Sequence, residues 1–149
     1  MQLKPLFSFT ADVGKPQEAP NGPYGDRRFI PITGGNFTGS KIAGKVLPGG
    51  ADCQLIRPDG VAELDVRCTF ETDDNVIFLM KGLGMRHGPK AVLERIAAGE
   101  DVNPEEYYFR EVMLFEAPDG KYAWLNKLLA VGTGQRKKHQ VLIDVHEIL

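Results

Sequence analysis

The sequence predicts a mainly β protein. It is read as a single closed or nearly closed antiparallel β-barrel of about eight strands, with one short helix at roughly residues 88–99 covering one end. Three observations predict this. Alternation of period two runs through most of the chain, glycine (17 of 149 residues) recurs inside strand-like stretches, and only one stretch has helical spacing. Closure removes the exposed edges that an open sheet of this length would have to protect. A two-sheet sandwich is the competing architecture, because alternation serves both.

Leu3 to Ala11 is the first strand, with Leu6, Phe7 and Phe9 its bulky members. Ala19 to Gly25, rich in proline, glycine and asparagine, is expected to be a long irregular loop. Gly34, Gly35, Gly39, Gly44, Gly49 and Gly50 then punctuate a strand pattern carrying Phe37, Ile42, Val46 and Leu47. Such glycines mark bends, bulges or close backbone approach. Ala62, Leu64, Val66, Cys68 and Phe70 alternate with Glu63, Asp65, Arg67, Thr69 and Glu71, a two-faced strand. Asp73-Asp74-Asn75 supplies turn chemistry, and Val76 to Leu83 returns as the second arm of a hairpin. Met85 to Gly88 opens the helix, where Pro89 suits the first turn, Val92, Leu93, Ile96 and Ala97 share a face, and Gly99 ends it. Tyr107 to Glu116, Tyr122 to Thr133 and Gln140 to Leu149 are the remaining strands. Pro118-Asp119-Gly120 and the longer polar run Gly134 to His139 serve as their loops. No repeat or linker divides the chain, so residues 1–149 form one domain.

Composition excludes several classes. Eighteen basic residues against twenty acidic ones give a formal charge of -2, without the basic excess that nucleic acid or an anionic membrane demands. No apolar run approaches the ~20 residues of a membrane-spanning helix, and no signal-peptide pattern opens the chain. A cytoplasmic protein is expected. Cys53 and Cys68 are too few for a disulfide framework. The histidines, His87, His139 and His146, show no ligand-pair spacing, and Asp144 with His146 supplies only two donors, so no metal is expected. The glycine-rich stretch never opens into a helix, so no nucleotide or other cofactor is expected either.

Arg27-Arg28-Phe29-Ile30-Pro31-Ile32-Thr33-Gly34-Gly35-Asn36-Phe37-Thr38-Gly39, followed by Gly44-Lys45-Val46-Leu47-Pro48-Gly49-Gly50-Ala51-Asp52, resembles the signature of the UPF0311 family, whose domain is DUF3237. Glu106-Tyr107-Tyr108-Phe109-Arg110 and Tyr122-Ala123-Trp124-Leu125-Asn126 resemble that family's C-terminal half. The resemblance covers nearly the whole chain. It implies a compact β-barrel similar to allene oxide cyclase-like barrels, and little about activity. Cys53 departs from the large aromatic residue expected after Gly-Gly-Ala-Asp, a change that would reshape any pocket beside it.

A small barrel either fills its interior or leaves room for one small ligand. Polar residues on faces that turn inward are therefore the candidates. Asp52 or His146 would act as a base, with Arg28, Arg110 and Tyr108 holding an oxyanion. Tyr24, Arg27, Cys53, Arg67, Trp124 and Asn126 would line the ligand. The opposing reading makes Arg27, Arg28 and Asp52 loop-pinning ion pairs, and Trp124 and Asn126 packing and hairpin residues. His87 is an outside candidate at the helix entrance.

The expected function is binding of a small, largely apolar carbonyl or aromatic compound. Cofactor-free proton transfer of isomerase, cyclase, hydratase or lyase type would follow. The alternative is a non-catalytic, lipocalin-like binder of a hydrophobic metabolite. Apolar residues on both faces of Val76 to Leu83 and Val141 to Leu149 imply a covered outer surface or a homo-oligomer (dimer) interface. Which strand faces point inward decides the whole candidate set, because a one-residue shift exchanges it.

Overall fold

The computed structural model describes residues 1–149. The chain forms ten strands: β1 (Leu3–Val13), β2 (Gln17–Gly22), β3 (Gly25–Thr38), β4 (Ala43–Val46), β5 (Ala51–Ile56), β6 (Ala62–Thr72), β7 (Ile77–His87), β8 (Tyr108–Glu116), β9 (Ala130–Arg136) and β10 (Gln140–Ile148). One helix, α1 (Lys90–Ala97), follows β7. All pairings are antiparallel, in the order β1-β10-β9-β8-β7-β6-β4-β3, and β3 pairs back onto β1 to close the barrel. Eight positions make the wall. β4 and β5 share one of them end to end, each bridging β3 and β6. β2 lies outside the ring on β3, so the fold is a closed eight-position barrel with two extra strands and a short helix.

Period-two burial fixes the inward face. Ala62, Leu64, Val66, Cys68, Phe70 and Thr72 of β6 are all buried, while their neighbours are exposed or partly so. β8 sends Phe109, Glu111, Met113 and Phe115 inward, and Tyr108, Arg110, Val112, Leu114 and Glu116 outward. Glycine makes room opposite the bulkiest of these. A Cβ on Gly134 would sit 2.5 Å from the Phe109 ring, and one on Gly132 would sit 2.7 Å from the Met113 terminal methyl.

One end of the barrel is solid. Phe70 stacks on Phe78 (centroids 5.0 Å apart) and meets Phe37 and Phe9 edge-on at 5.2 and 5.3 Å, while Phe7 and Phe115 complete the cluster. Edge-to-face contact exploits the ring quadrupole and adds to area burial. A 3₁₀ turn at Ala123–Lys127 lids this end with the fully buried Leu125. Tyr122 Oη donates to Asp74 Oδ1 (2.6 Å), tying the lid to the β6–β7 turn.

Four local expectations are corrected. Ala19 to Gly25 is a tight hairpin between β2 and β3 rather than a loop, with Asn21 in the left-handed region (φ 62°) and its N–H donating to Asp26 Oδ1 (2.8 Å). Pro20 is tolerated because β2 is an edge strand, and Pro23 falls in the turn itself. Tyr122 to Thr133 becomes a strand only from Ala130, because burying Leu125 and bonding Asn126 to Ala117 favour a compact turn first. β7 continues past Leu83 to His87, since β8 pairs with it that far. Half of the polar run from Gly134 to His139 is strand: β9 ends at Arg136, paired with Val141, leaving three residues for the turn.

Candidate functional site

The other half of the barrel is built differently. Here the inward positions are Arg28 on β3, Asp52 and Gln54 on β5, Arg86 on β7, Glu111 on β8 and Arg136 on β9. They are set among Phe9, Ile30, Ile32, Val66, Cys68 and Phe109. An inner cavity of about 40 Å³ lies against Asp52, Gln54, Glu111, Arg86 and Arg136. That is room for one ligand functional group or a few waters. Above it opens a vestibule of about 520 Å³, bounded by Arg28, Ile56, the Leu93–Ile96–Ala97 face of α1 and the β9–β10 turn. Arg86 and Arg136 line both spaces and form the throat between them.

Glu111 is the most buried of the charged side chains here. Only 6% of it is exposed, and its Oε2 has no hydrogen-bond partner. Glycines on the neighbouring strand make the space: a Cβ on Gly82 would lie 2.9 Å from Oε2, and one on Gly84 would lie 2.6 Å from Glu111 Cγ. Burial, reinforced by the negative charge of Asp52, pushes the Glu111 carboxyl up to about 8. Desolvation disfavours the anion, so Glu111 is a neutral acid at pH 7.

Asp52 is more polar in its setting. The β5–β6 ladder pairs at Asp52↔Val66 and resumes at Leu55↔Glu63. Within that interval Asp65 N donates to Asp52 Oδ1 (3.1 Å), while Gln54 Nε2 donates to Oδ2 (2.8 Å). Burial raises the Asp52 carboxyl above its usual range, and these hydrogen bonds and Arg86 oppose the rise. Two carboxyls share one cavity and both are raised, Glu111 by burial that nothing opposes and Asp52 by burial that two hydrogen bonds and Arg86 counter. Unequal settings of this kind let paired carboxyls take acid and base roles.

The arginines crowd one another. Arg86 lies over the Phe109 ring (5.9 Å), and burial followed by repulsion from Arg136 and Arg28 pulls its guanidinium down to about 10. Arg136 is lowered by burial and by Arg28, while its backbone N–H donates to Tyr107 Oη (2.8 Å). Cys68 is pushed up to about 12 by burial and is not a nucleophile here. No three His, Cys, Asp or Glu side chains converge as a metal-binding group.

The structure brings only Asp52 and Arg28 of the sequence candidates into this half of the barrel. Tyr108, Arg110 and His146 lie on the outer wall, bordering a groove of about 740 Å³ with Leu83, Met85 and Val112. Tyr108 stacks on His87 (4.8 Å), and Arg110 lies over the same ring (5.2 Å). Arg67 is an exposed neighbour of Asp65 (4.0 Å), Cys53 is exposed on β5, and Arg27 is exposed on β3. Tyr24 is 71% exposed at the β2–β3 turn. Trp124 and Asn126 belong to the opposite lid, where Asn126 receives Ala117 N (2.7 Å) and donates to Ala117 O (2.9 Å).

Glu111, Arg86, Arg136 and Gln54 were not among the sequence candidates. Glu111 had a signal: it is the one charge in the row Phe109, Glu111, Met113, Phe115, opposite Gly82 and Gly84. Arg86 and Arg136 carried none, lying in stretches whose polarity resembles surface connections.

Fold and interior together define a closed β-barrel with an aromatic floor and a charged, partly hollow mouth. The chain belongs to the family described as "Protein of unknown function (DUF3237)", whose model matches residues 1–148. A UPF0311 protein from Rhodopseudomonas palustris is 41% identical over 149 residues, covering 100% of this chain and 97% of that one. The crystal structure of a conserved protein of unknown function from the same species superposes with a TM-score of 0.96, at 41% identity over 99% of this chain and 97% of that one. A PR-toxin biosynthesis cluster protein of Penicillium roqueforti is 30% identical over 129 residues, 74% of this chain and 69% of that one. An enzyme from Penicillium herquei shares the fold, with a TM-score of 0.70 at 20% identity over 97% of this chain and 93% of that one.

Proposed function

We propose that the barrel mouth binds a small, largely apolar carbonyl or aromatic compound and moves a proton on it without a cofactor. The observation that carries this reading is the buried, unpartnered Glu111 carboxyl sharing a cavity with Asp52. Asp52 takes a proton from the carbon beside the carbonyl, and the neutral Glu111 donates to the oxygen on which negative charge develops. Asp52 then returns its proton to a different carbon while the enol oxygen gives its proton back to Glu111, so an isomer forms and both carboxyls recover their starting states. The biosynthesis-cluster relative and the Penicillium herquei enzyme support an enzymatic reading for this fold.

The test is solvent deuterium exchange into a panel of enolisable ketones, followed by proton NMR. Wild-type protein is expected to catalyse exchange into at least one of them, with Glu111→Gln and Asp52→Asn each slowing it by roughly 10²-fold or more. Exchange indifferent to both substitutions, or none above the uncatalysed rate, sinks the mechanism. A second reading, a binding protein without chemistry, draws on the aliphatic and aromatic walls around the two carboxyls. Recovery of a bound ligand unaltered after long incubation favours it.

A further inference from the structure

We infer that the vestibule above the inner cavity is a carboxylate-binding site, and that the natural ligand is an apolar carboxylic acid anchored by Arg28, Arg86 and Arg136. This rests on the reading of the barrel mouth as a ligand site, though not on proton transfer occurring there.

The charge balance points to an anion. Three guanidiniums converge on the throat and mouth, joined at the vestibule by Lys137 and Lys138, against Asp52 and Glu111 in the inner cavity and Glu18 at the rim. Asp52 already accepts from Gln54 and the Asp65 backbone. Arg28 Nε is buried without a hydrogen bond, its nearest carboxylate being Glu18 Oε1 on the rim at 3.6 Å. Arg136 spends one nitrogen on Gln140 O (3.1 Å). Arg86 enters no ion pair and rests on the Phe109 face. Neighbouring cations in a sheltered throat repel one another at a cost that an arriving anion would relieve. Lys137, also at the vestibule, is already paired with Asp101 (2.6 Å).

The kind of anion follows from the opposite wall. Leu93, Ile96 and Ala97 of α1, with Ile56, give the vestibule an aliphatic side facing the guanidiniums. A planar carboxylate matches the guanidinium fork, and its hydrocarbon body would cover that aliphatic side. Inorganic phosphate would meet the arginines and leave the aliphatic wall bare.

Benzoate and hexanoate, with benzamide and hexanamide as neutral isosteres and inorganic phosphate as the headgroup alone, are titrated into the full chain. Binding is followed by calorimetry and by backbone amide shifts at Arg86 and Arg136. At least one carboxylate is expected to bind roughly tenfold or more tightly than its amide, to weaken with added salt, and to lose roughly tenfold in Arg86→Gln. Arg28→Gln, at the rim, gives the same trend if Arg86→Gln does not fold. Amides binding as tightly as their acids, no carboxylate binding at millimolar concentration, phosphate outcompeting both acids, or affinity unmoved by either substitution would each overturn the inference. Benzoate has no enolisable hydrogen, so its binding can succeed where deuterium exchange fails, and the reverse.

Discussion

The two ends of this barrel answer the same geometric problem in opposite ways. A ring of eight strand positions leaves a space that side chains must fill or a ligand must enter. At one end six phenylalanines fill it, with Phe70 touching four other rings. At the other, the same inward rows carry Asp52, Glu111, Arg86 and Arg136 around a hollow. β8 crosses between the two regimes within a few residues, from Phe115 and Met113 to Glu111. The first end is packed with rings, and the second holds the buried ionisable groups.

The contrast breaks most visibly at Phe70. Truncation to alanine removes a fully buried ring from the centre of the cluster and leaves a cavity that the rigid wall cannot collapse. Phe70→Ala is expected to cost about 3–5 kcal/mol in urea unfolding, a large share of a small domain's total. A loss below about 1 kcal/mol would mean that the aromatic end is not the main source of stability.

At the charged end the expected sign reverses with pH. Glu111 keeps its proton to about pH 8 in the fold but releases it near 4.5 when unfolded, so the folded chain binds the extra proton between those values. The stabilisation is complete below about 4.5 and lost as pH rises to about 8, on the order of 3–5 kcal/mol across that window. Asp52, also raised, acts in the same direction. Glu111→Gln, which cannot ionise, should flatten most of this slope and match or exceed wild-type stability at pH 9. Parallel stability–pH curves for the two proteins would show that Glu111 ionises as readily in the fold as outside it.

The difference between the ends also explains what was legible in the sequence. The two-faced pattern of β6 announced a strand but not its inward row, since Arg67 on the exposed face was expected to line the ligand. The glycine-punctuated strands with one helix announced closure. The aromatic floor was legible only as bulky members of separate strands, such as Phe7 and Phe9, and pairing is what gathers them at one end. The charged mouth was not legible, because β8 has apolar residues on both faces. Val112 and Leu114 made the Tyr108–Arg110 face as plausible an interior as Phe109 and Met113. Only tertiary pairing decides: Gly82, Gly84, Gly132 and Gly134 stand opposite the Phe109 row and leave its bulk somewhere to go. Arg86 and Arg136 lay in apparent connections that strand pairing extends into the wall. Asp52 and Arg28 were reached as polar residues that could face inward, within the two stretches that resemble the family signature.

The lid at the aromatic end offers a smaller test. Asn126 makes both hydrogen bonds that Ala117 needs at the end of β8. Asn126→Ala strands a buried backbone N–H and C=O, and should cost about 1–2 kcal/mol without altering ligand binding at the far mouth. An effect on benzoate affinity as well would show that the two ends are coupled through the wall.

The smallest expected effects belong to the outer face, and they sharpen the contrast by their absence. Tyr108, Arg110 and His146 have the residue types of a catalytic set, yet β8 and β10 turn them away from the interior. Arg110 donates to the carbonyl of its own neighbour Phe109 (2.9 Å) and covers the Tyr108 ring, contacts made and broken in solvent. Tyr108→Phe, Arg110→Gln and His146→Gln should each change stability by no more than about 0.5 kcal/mol. Deuterium exchange and benzoate affinity should stay within roughly twofold, well under 1 kcal/mol. If Arg110→Gln abolished exchange while Glu111→Gln did not, the chemistry would lie in the outer groove beside Leu83 and Val112. The hollow half of the barrel would then be only a poorly packed core.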